Sequence, residues 1–230
     1  MIGTVDALVG SHTAPTMKNT HTITAAFLAA ASTIAASAAD APASAYAVTG
    51  NVALTSDYVF RGISQSAGHT SIQGGFDLTK TPLAGLTAGV WASSLSAGTE
   101  VDFYANYGFK VGVVDVSVGF IDYTYTASAV GFSTGGEANL AVSYSGVTLK
   151  ASKGVSGALS DYYYEASYSY DIPAVKGLNL GLHYGTDRVT KNDDLSVTLT
   201  YPVFGFDAIV AYSDIEGGSS ITSFTVKKSF

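Results

Sequence analysis

The feature that most restricts this chain is a two-residue alternation of apolar and polar side chains, recurring from residue 48 to the last residue. After residue 47 no apolar run is long enough to cross a bilayer as a helix. Val101, Phe103, Ala105, Tyr107 and Phe109 alternate with Glu100, Asp102, Tyr104, Asn106 and Gly108. Leu178, Leu180, Leu182 and Tyr184 alternate with Asn179, Gly181 and His183, and Leu195, Val197, Leu199 and Tyr201 with Ser196, Thr198 and Thr200. Successive strand side chains point to opposite faces, so each segment carries one apolar and one polar face. About twelve strands are expected, near 48–60, 70–79, 86–94, 99–109, 114–124, 135–145, 147–153, 162–170, 178–185, 194–201, 206–213 and 221–230. An even count brings both ends of the chain to the same side of a sheet.

Alternation alone fits a soluble sandwich as well as a barrel wall in lipid. Two features favour lipid. The apolar parity carries tyrosines close to the strand ends, at Tyr58, Tyr107, Tyr144, Tyr162, Tyr164, Tyr168, Tyr170, Tyr184, Tyr201 and Tyr212, as in an aromatic girdle. The other parity is dominated by Gly, Ser, Thr, Ala and Asn, too small and polar to pack a dry core. The expected fold is therefore all-β: a transmembrane antiparallel up-and-down barrel of about twelve strands with a wet lumen.

Connections alternate between tight and long. Thr81–Gly85, Lys110–Val113, Ser145–Gly146, Ile172–Gly177 and Tyr201–Gly205 are short and hold Pro82, Pro173 and Pro202; Tyr125–Gly135, Gly154–Asp161, Asp187–Asp193 and Asp214–Ser219 are longer and polar. Short turns face the periplasm and long loops the exterior in such barrels. None of the connections is long enough to suggest a separate constriction loop.

Ahead of the barrel, Lys18 and the Ala-rich run Ile23–Ala36 form a secretory leader, with small-x-small cleavage sites at Ala36–Ala38 and Ala45–Ala47. Residues 1–47 are thus expected to be a presequence whose true start is Met17, and residues 48–230 the barrel domain, exported to a bacterial outer membrane.

The segment Gly50–Ser66 continues the first strand, placing Val52, Leu54, Tyr58 and Phe60 outward and Asp57 and Arg61 inward. Within it, Ser56-Asp57-Tyr58-Val59-Phe60-Arg61-Gly62-Ile63-Ser64, with Ile72-Gln73-Gly74-Gly75-Phe76-Asp77 and Gly89-Val90-Trp91-Ala92-Ser93 further on, resembles the opening of the TorF family of proteobacterial outer-membrane porins. The resemblance covers about the first third of the mature chain and implies an outer-membrane channel without naming its solute. Asp57 and Arg61 lie about 13 Å apart on an extended strand at ~3.3 Å per residue, too far to pair. Arg61 is expected at the outer mouth, engaging Glu100 or Asp102.

By parity the pore-lining groups are Asp57, Arg61, Asp77, Glu100, Asp102, Glu137, Lys150, Glu165, His183, Asp207 and Lys227, with Asp115 also inward. Asp207 and Lys227 fall at one height across a hairpin. Acids outnumber bases, and the whole chain carries a formal charge of -7, which argues against a nucleic-acid partner and for a cation-preferring passage. The ending Phe224, Val226 and Phe230 resembles the recognition signal of the barrel assembly machinery, with Lys228 departing from the apolar pattern. Expected partners are outer-membrane lipids and lipopolysaccharide, that machinery with periplasmic chaperones, and small solutes or ions.

Other chemistry finds little support. The chain has no cysteine and four histidines, of which His12 and His21 lie in the presequence and His69 in the first outer loop. His183 faces inward, where a lining or hydrogen-bonded role fits better than a catalytic base. Asp187, Asp193 and Asp194 lack zinc or EF-hand spacing, and no glycine pair precedes a helical pattern, so neither metal nor cofactor is expected beyond cations bridging lipopolysaccharide. A closed structural or adhesive barrel is the main alternative to a narrow channel, and a lipid or peptide hydrolase a third. Peptide mapping of the unprocessed precursor should find no peptide ahead of Met17; one mapping to residues 1–16 would contradict the internal start.

Overall fold

Three of the tight connections are two-residue turns whose left-handed backbone matches the twist of the strands they join. Ser145 and Gly146 have φ of 50° and 85°, Phe204 and Gly205 50° and 79°, and Gly112 61° ahead of Val113. The chain was analysed as a computed structural model describing residues 46–126, 134–157, 161–188 and 191–230. Fourteen strands are described: β1 (Ala47–Thr55), β2 (Val59–Phe60), β3 (Ile63–Ser64), β4 (Ser71–Lys80), β5 (Leu86–Ser94), β6 (Thr99–Val111), β7 (Val114–Tyr125), β8 (Gly135–Tyr144), β9 (Val147–Gly154), β10 (Tyr162–Asp171), β11 (Asn179–Asp187), β12 (Asp193–Val203), β13 (Phe206–Ile215) and β14 (Ile221–Ser229). Twelve of them close into one antiparallel barrel in which each pairs with its chain neighbours and β1 completes the ring between β4 and β14. β2 and β3 form a separate small hairpin.

The seam is short and secured at its end. Gly50 and Phe230 exchange backbone hydrogen bonds of 2.8 and 2.9 Å. The Phe230 ring covers Gly50, where a β-carbon would lie 2.6 Å from it, and meets Phe76 edge-on at 6.3 Å. Lys228 bonds the Gly205 carbonyl at 2.6 Å beside the Phe206 ring. Pro202, expected in a turn, is the last but one residue of β12, where the ladder is ending.

The exterior is apolar. Leu54, Ile72, Phe76, Phe103, Phe120, Leu140, Leu149, Leu182, Leu199, Val210, Phe224 and Val226 all project outward and are exposed. An unbroken apolar surface on this scale is what a barrel presents to lipid, whereas soluble monomers avoid it. Every girdle tyrosine except Tyr58 stands on this outward parity, with Tyr162–Tyr164 and Tyr168–Tyr170 stacked along β10.

Three expectations need correcting. β1 stops at Thr55 rather than near residue 60. Tyr58 and Phe60 therefore do not face outward but are buried, at 6 and 3% exposure. Nor is the interior uniformly small and polar, because Trp91, Tyr104, Ile121, Tyr123 and Tyr125 turn inward around Tyr58 and Phe60 to make a local apolar core. Residues 1–45, with the first cleavage site, fall outside the described residues, and Ala47, the last residue of the second site, already begins β1. Replacing Phe230 with Ala removes the edge-on pair and uncovers Gly50; a loss of about 1 kcal/mol is expected from the ring pair. It should appear as a lower unfolding midpoint and less heat-modifiable folded band on gels.

A hairpin folded into the barrel

The candidate site is the segment between β1 and β4, which turns inward instead of extending the wall. Its tip is Arg61-Gly62, with φ of 44° and 75°, a two-residue turn that makes Val59–Phe60 pair with Ile63–Ser64. Asp57 fastens the base: the hydroxyls of Ser64 and Ser66 donate to its Oδ1 at 2.6 and 2.8 Å, and the Tyr58 amide donates to Ser66 Oγ at 2.9 Å. Thr55 donates to the Asp57 carbonyl at 2.9 Å. The motif Ser-Asp-Tyr-Val-Phe-Arg-Gly-Ile-Ser is thus a hairpin with its own clasp.

The tip reaches across the lumen. Gly62 packs so closely on the far wall that a β-carbon would lie 2.8 Å from Ile215 and 3.1 Å from the Asp194 side chain. Arg61 Nη2 lies 3.3 Å from Glu137 Oε2, with side chains 7 and 2% exposed, and the guanidinium stacks 3.6 Å above the Tyr163 ring. Arg61 was expected to meet Glu100 or Asp102, but those stand on β6 and the turn carries the guanidinium past them to β8 and β10. Both partners are then oriented from behind. Tyr123 donates to Glu137 Oε2 at 3.1 Å, and Tyr163 donates to Asp194 Oδ2 at 2.7 Å. His183 Nε2 lies 3.0 Å from both Asp194 Oδ1 and the Tyr163 hydroxyl. Gly185 makes room for this, since a β-carbon there would sit 1.8 Å from that hydroxyl.

The other inward groups divide by height. Near the hairpin, Glu100 and Asp102 are fully buried, and Tyr125 donates to Glu100 Oε1 at 3.0 Å. Toward the short-turn end the lumen is lined by small polar groups such as Asn106, Ser143, Thr148, Ser167 and Thr198. Elsewhere on the inward faces Tyr104 donates to Asp77, Lys150 pairs with Glu165 at 3.2 Å, and Asp207 stands directly opposite Lys227 in register. Asp115 pairs with Lys110 at the exposed rim, 2.6 Å apart. Asp194 and the inward Trp91, Tyr123, Tyr125 and Tyr163 were not among the expected lining groups, although they stand on the same polar parity as Tyr104 and are legible from it.

Catalytic arrangements are thin. His183 is engaged by Tyr163 and Asp194, and among the described residues no serine hydroxyl bonds it. Among the described residues no group of three or more His, Cys, Asp or Glu is arranged around a metal.

These features define a closed twelve-stranded antiparallel barrel of transmembrane type with an inward hairpin at its outer end. The chain belongs to the family described as "Bacterial protein of unknown function (Gcw_chp)", matched over residues 39–229. No curated protein matches it in sequence. In architecture it is similar to the KdgM porin, at 10% identity and a TM-score of 0.59 over 80% of this chain and 98% of that one. A second structure, of KdgM in complex with disordered oligogalacturonate, gives 11% identity and the same TM-score and coverage. Likeness to Pseudomonas aeruginosa OpdK with vanillate is weaker, with 13% identity and a TM-score of 0.38 over 70% of this chain and 56% of that one. That description does not itself carry the TorF name.

Breaking a buried ion pair from one side costs about 3–5 kcal/mol. Glu137→Gln and Arg61→Asn, the latter keeping a residue that tolerates the left-handed turn, are each expected to destabilise the folded barrel. The double variant should cost clearly less than their sum in a denaturant double-mutant cycle; additivity would show that the pair is not coupled.

Proposed function

We propose that this protein is an outer-membrane porin of the TorF type, a narrow passive channel for small solutes whose hairpin 57–66 sets the constriction. The observation that carries the reading is the lumen's two-part lining. Its short-turn half is lined by small polar side chains that favour water, while its outer half is crossed by one hairpin held through side chains rather than woven into the wall. The similarity to the KdgM porin supports the channel class, and the apolar belt with its tyrosine girdle supports residence in a lipid bilayer. The C-terminal Phe230 and its outward neighbours Val226 and Phe224 fit recognition by the barrel assembly machinery, and the rim faces lipopolysaccharide.

The passage prefers cations. Each inward base meets an acid: Arg61 meets Glu137, Lys150 meets Glu165, and Lys227 stands opposite Asp207. Among the described residues, Asp57 and Asp77 are held by hydroxyls and pair with no base. The resulting negative field concentrates cations in a low-dielectric passage.

A closed structural barrel is the second reading, and the packing of Tyr58, Phe60 and Arg61 across the lumen favours it. Planar-bilayer recording separates the two. A channel gives discrete steps with a cation-sign reversal potential in a low-salt gradient. The preference should fade toward 1 M salt as the Debye length falls to about 3 Å. Deleting residues 57–66 should raise conductance several-fold. No current above detergent controls would favour the closed barrel, and an anion-sign potential would reject the selectivity.

A further inference from the structure

Among the described residues, three buried neighbours carry side-chain oxygens that accept or donate no hydrogen bond: Glu100 Oε2, Asp102 Oδ1 and Oδ2, and the Tyr58 hydroxyl. Glu100 and Asp102 are two apart on the inward face of β6, their α-carbons about 6.6 Å apart at ~3.3 Å per residue. Neither is exposed at all, and neither takes part in an ion pair. The third residue comes from the hairpin. Tyr58 packs edge-on against Trp91 at 5.5 Å, and Trp91 stands opposite Asp102 in the β5–β6 register. The Tyr58 phenol lies within the field of both Glu100 and Asp102, which places its oxygen beside the two carboxylates. Asp122, on β7, adds negative charge beside Asp102.

Two carboxylates shut away from water without a basic partner are costly to bury. We propose that Glu100, Asp102 and Tyr58 bind a hard divalent cation of the calcium class, which ties the inward hairpin to the barrel wall. The donor set is all oxygen, without the nitrogen or sulfur that selects zinc or copper, and two carboxylates match a charge of two. Calcium accepts six to eight oxygens in irregular geometry, so water and backbone carbonyls complete a shell to which these residues bring the anchoring groups. The ion couples β6 to the hairpin through Tyr58, which makes divalent cations a regulator of the constriction. That last step rests on the channel reading; the binding does not.

Trp91 is the chain's one tryptophan, so its emission reports the site directly. The barrel, purified from membranes in detergent and stripped with EDTA, is titrated with calcium chloride while Trp91 emission and calorimetric heat are followed. Expected are saturable binding at one ion per chain, a higher unfolding midpoint, and affinity at least tenfold weaker in Asp102→Asn and Glu100→Gln. If those variants fold poorly, Tyr58→Phe, which loses one oxygen, should weaken binding several-fold with the heat-modifiable band intact. No emission change at millimolar calcium, a response to pH alone, or binding unaltered in all three variants would overturn the site. Calcium binding without any effect on single-channel conductance would retain the site and overturn its regulatory role, and absence of conductance altogether would count against the channel reading instead.

Discussion

Everything in this structure depends on one requirement, that each backbone N–H and C=O within the apolar belt find its partner inside the chain. A sheet meets it only by closing, and β1 closes this one by bonding β4 on one side and β14 on the other. Closure turns a local alternation into two separate environments. A slip of one residue anywhere would move a whole strand's apolar set into the lumen, so the register is enforced around the ring. It also explains why the last residue matters: Phe230 is where the two ends of the ladder meet.

The same closure creates an interior that the wall alone does not fill. Eight strands leave room only for side chains, while sixteen or more leave an open pore, and twelve lie between. Here the outer half is occupied by a hairpin that behaves as a single inserted piece. Its turn places Arg61 in a left-handed conformation that costs a non-glycine residue roughly 1–2 kcal/mol. An Asn-Gly pair would make that turn with less strain. Arg61 is compensated by Glu137 and the Tyr163 face, neither of which a shorter side chain would reach. A buried pair of this kind adds little net stability but strongly penalises other placements of the tip, which suits a segment that must sit in one position across a lumen.

Strand number, boundaries and the outward girdle were legible in the sequence because each follows from a period of two within one segment. The inward aromatic residues were legible too: Tyr104, Tyr123, Tyr125 and Tyr163 occupy the polar parity, and a count of side-chain volume on that parity would have revealed a filled outer half. The end of β1 was harder. Val52, Leu54, Tyr58 and Phe60 keep one parity straight through the break, so the pattern continued while the chain turned. The signal lay in turn chemistry, with Arg-Gly between the short pairs Val59-Phe60 and Ile63-Ser64, and in Ser64 and Ser66 spaced to reach Asp57.

Within one strand, sequence determines which face each residue takes, because the backbone geometry that sets it spans only two residues. The sequence by itself therefore determined a closed, lipid-facing, even-stranded barrel with an acidic interior. Only the tertiary structure decided that Arg61 meets Glu137 rather than Glu100 or Asp102, that Asp194 braces Tyr163, and that two carboxylates end up buried beneath Tyr58. Those contacts join residues up to 76 positions apart across an enclosed space. Their distances follow from the circumference and stagger of the closed ring and the direction of one turn, and no local pattern encodes either.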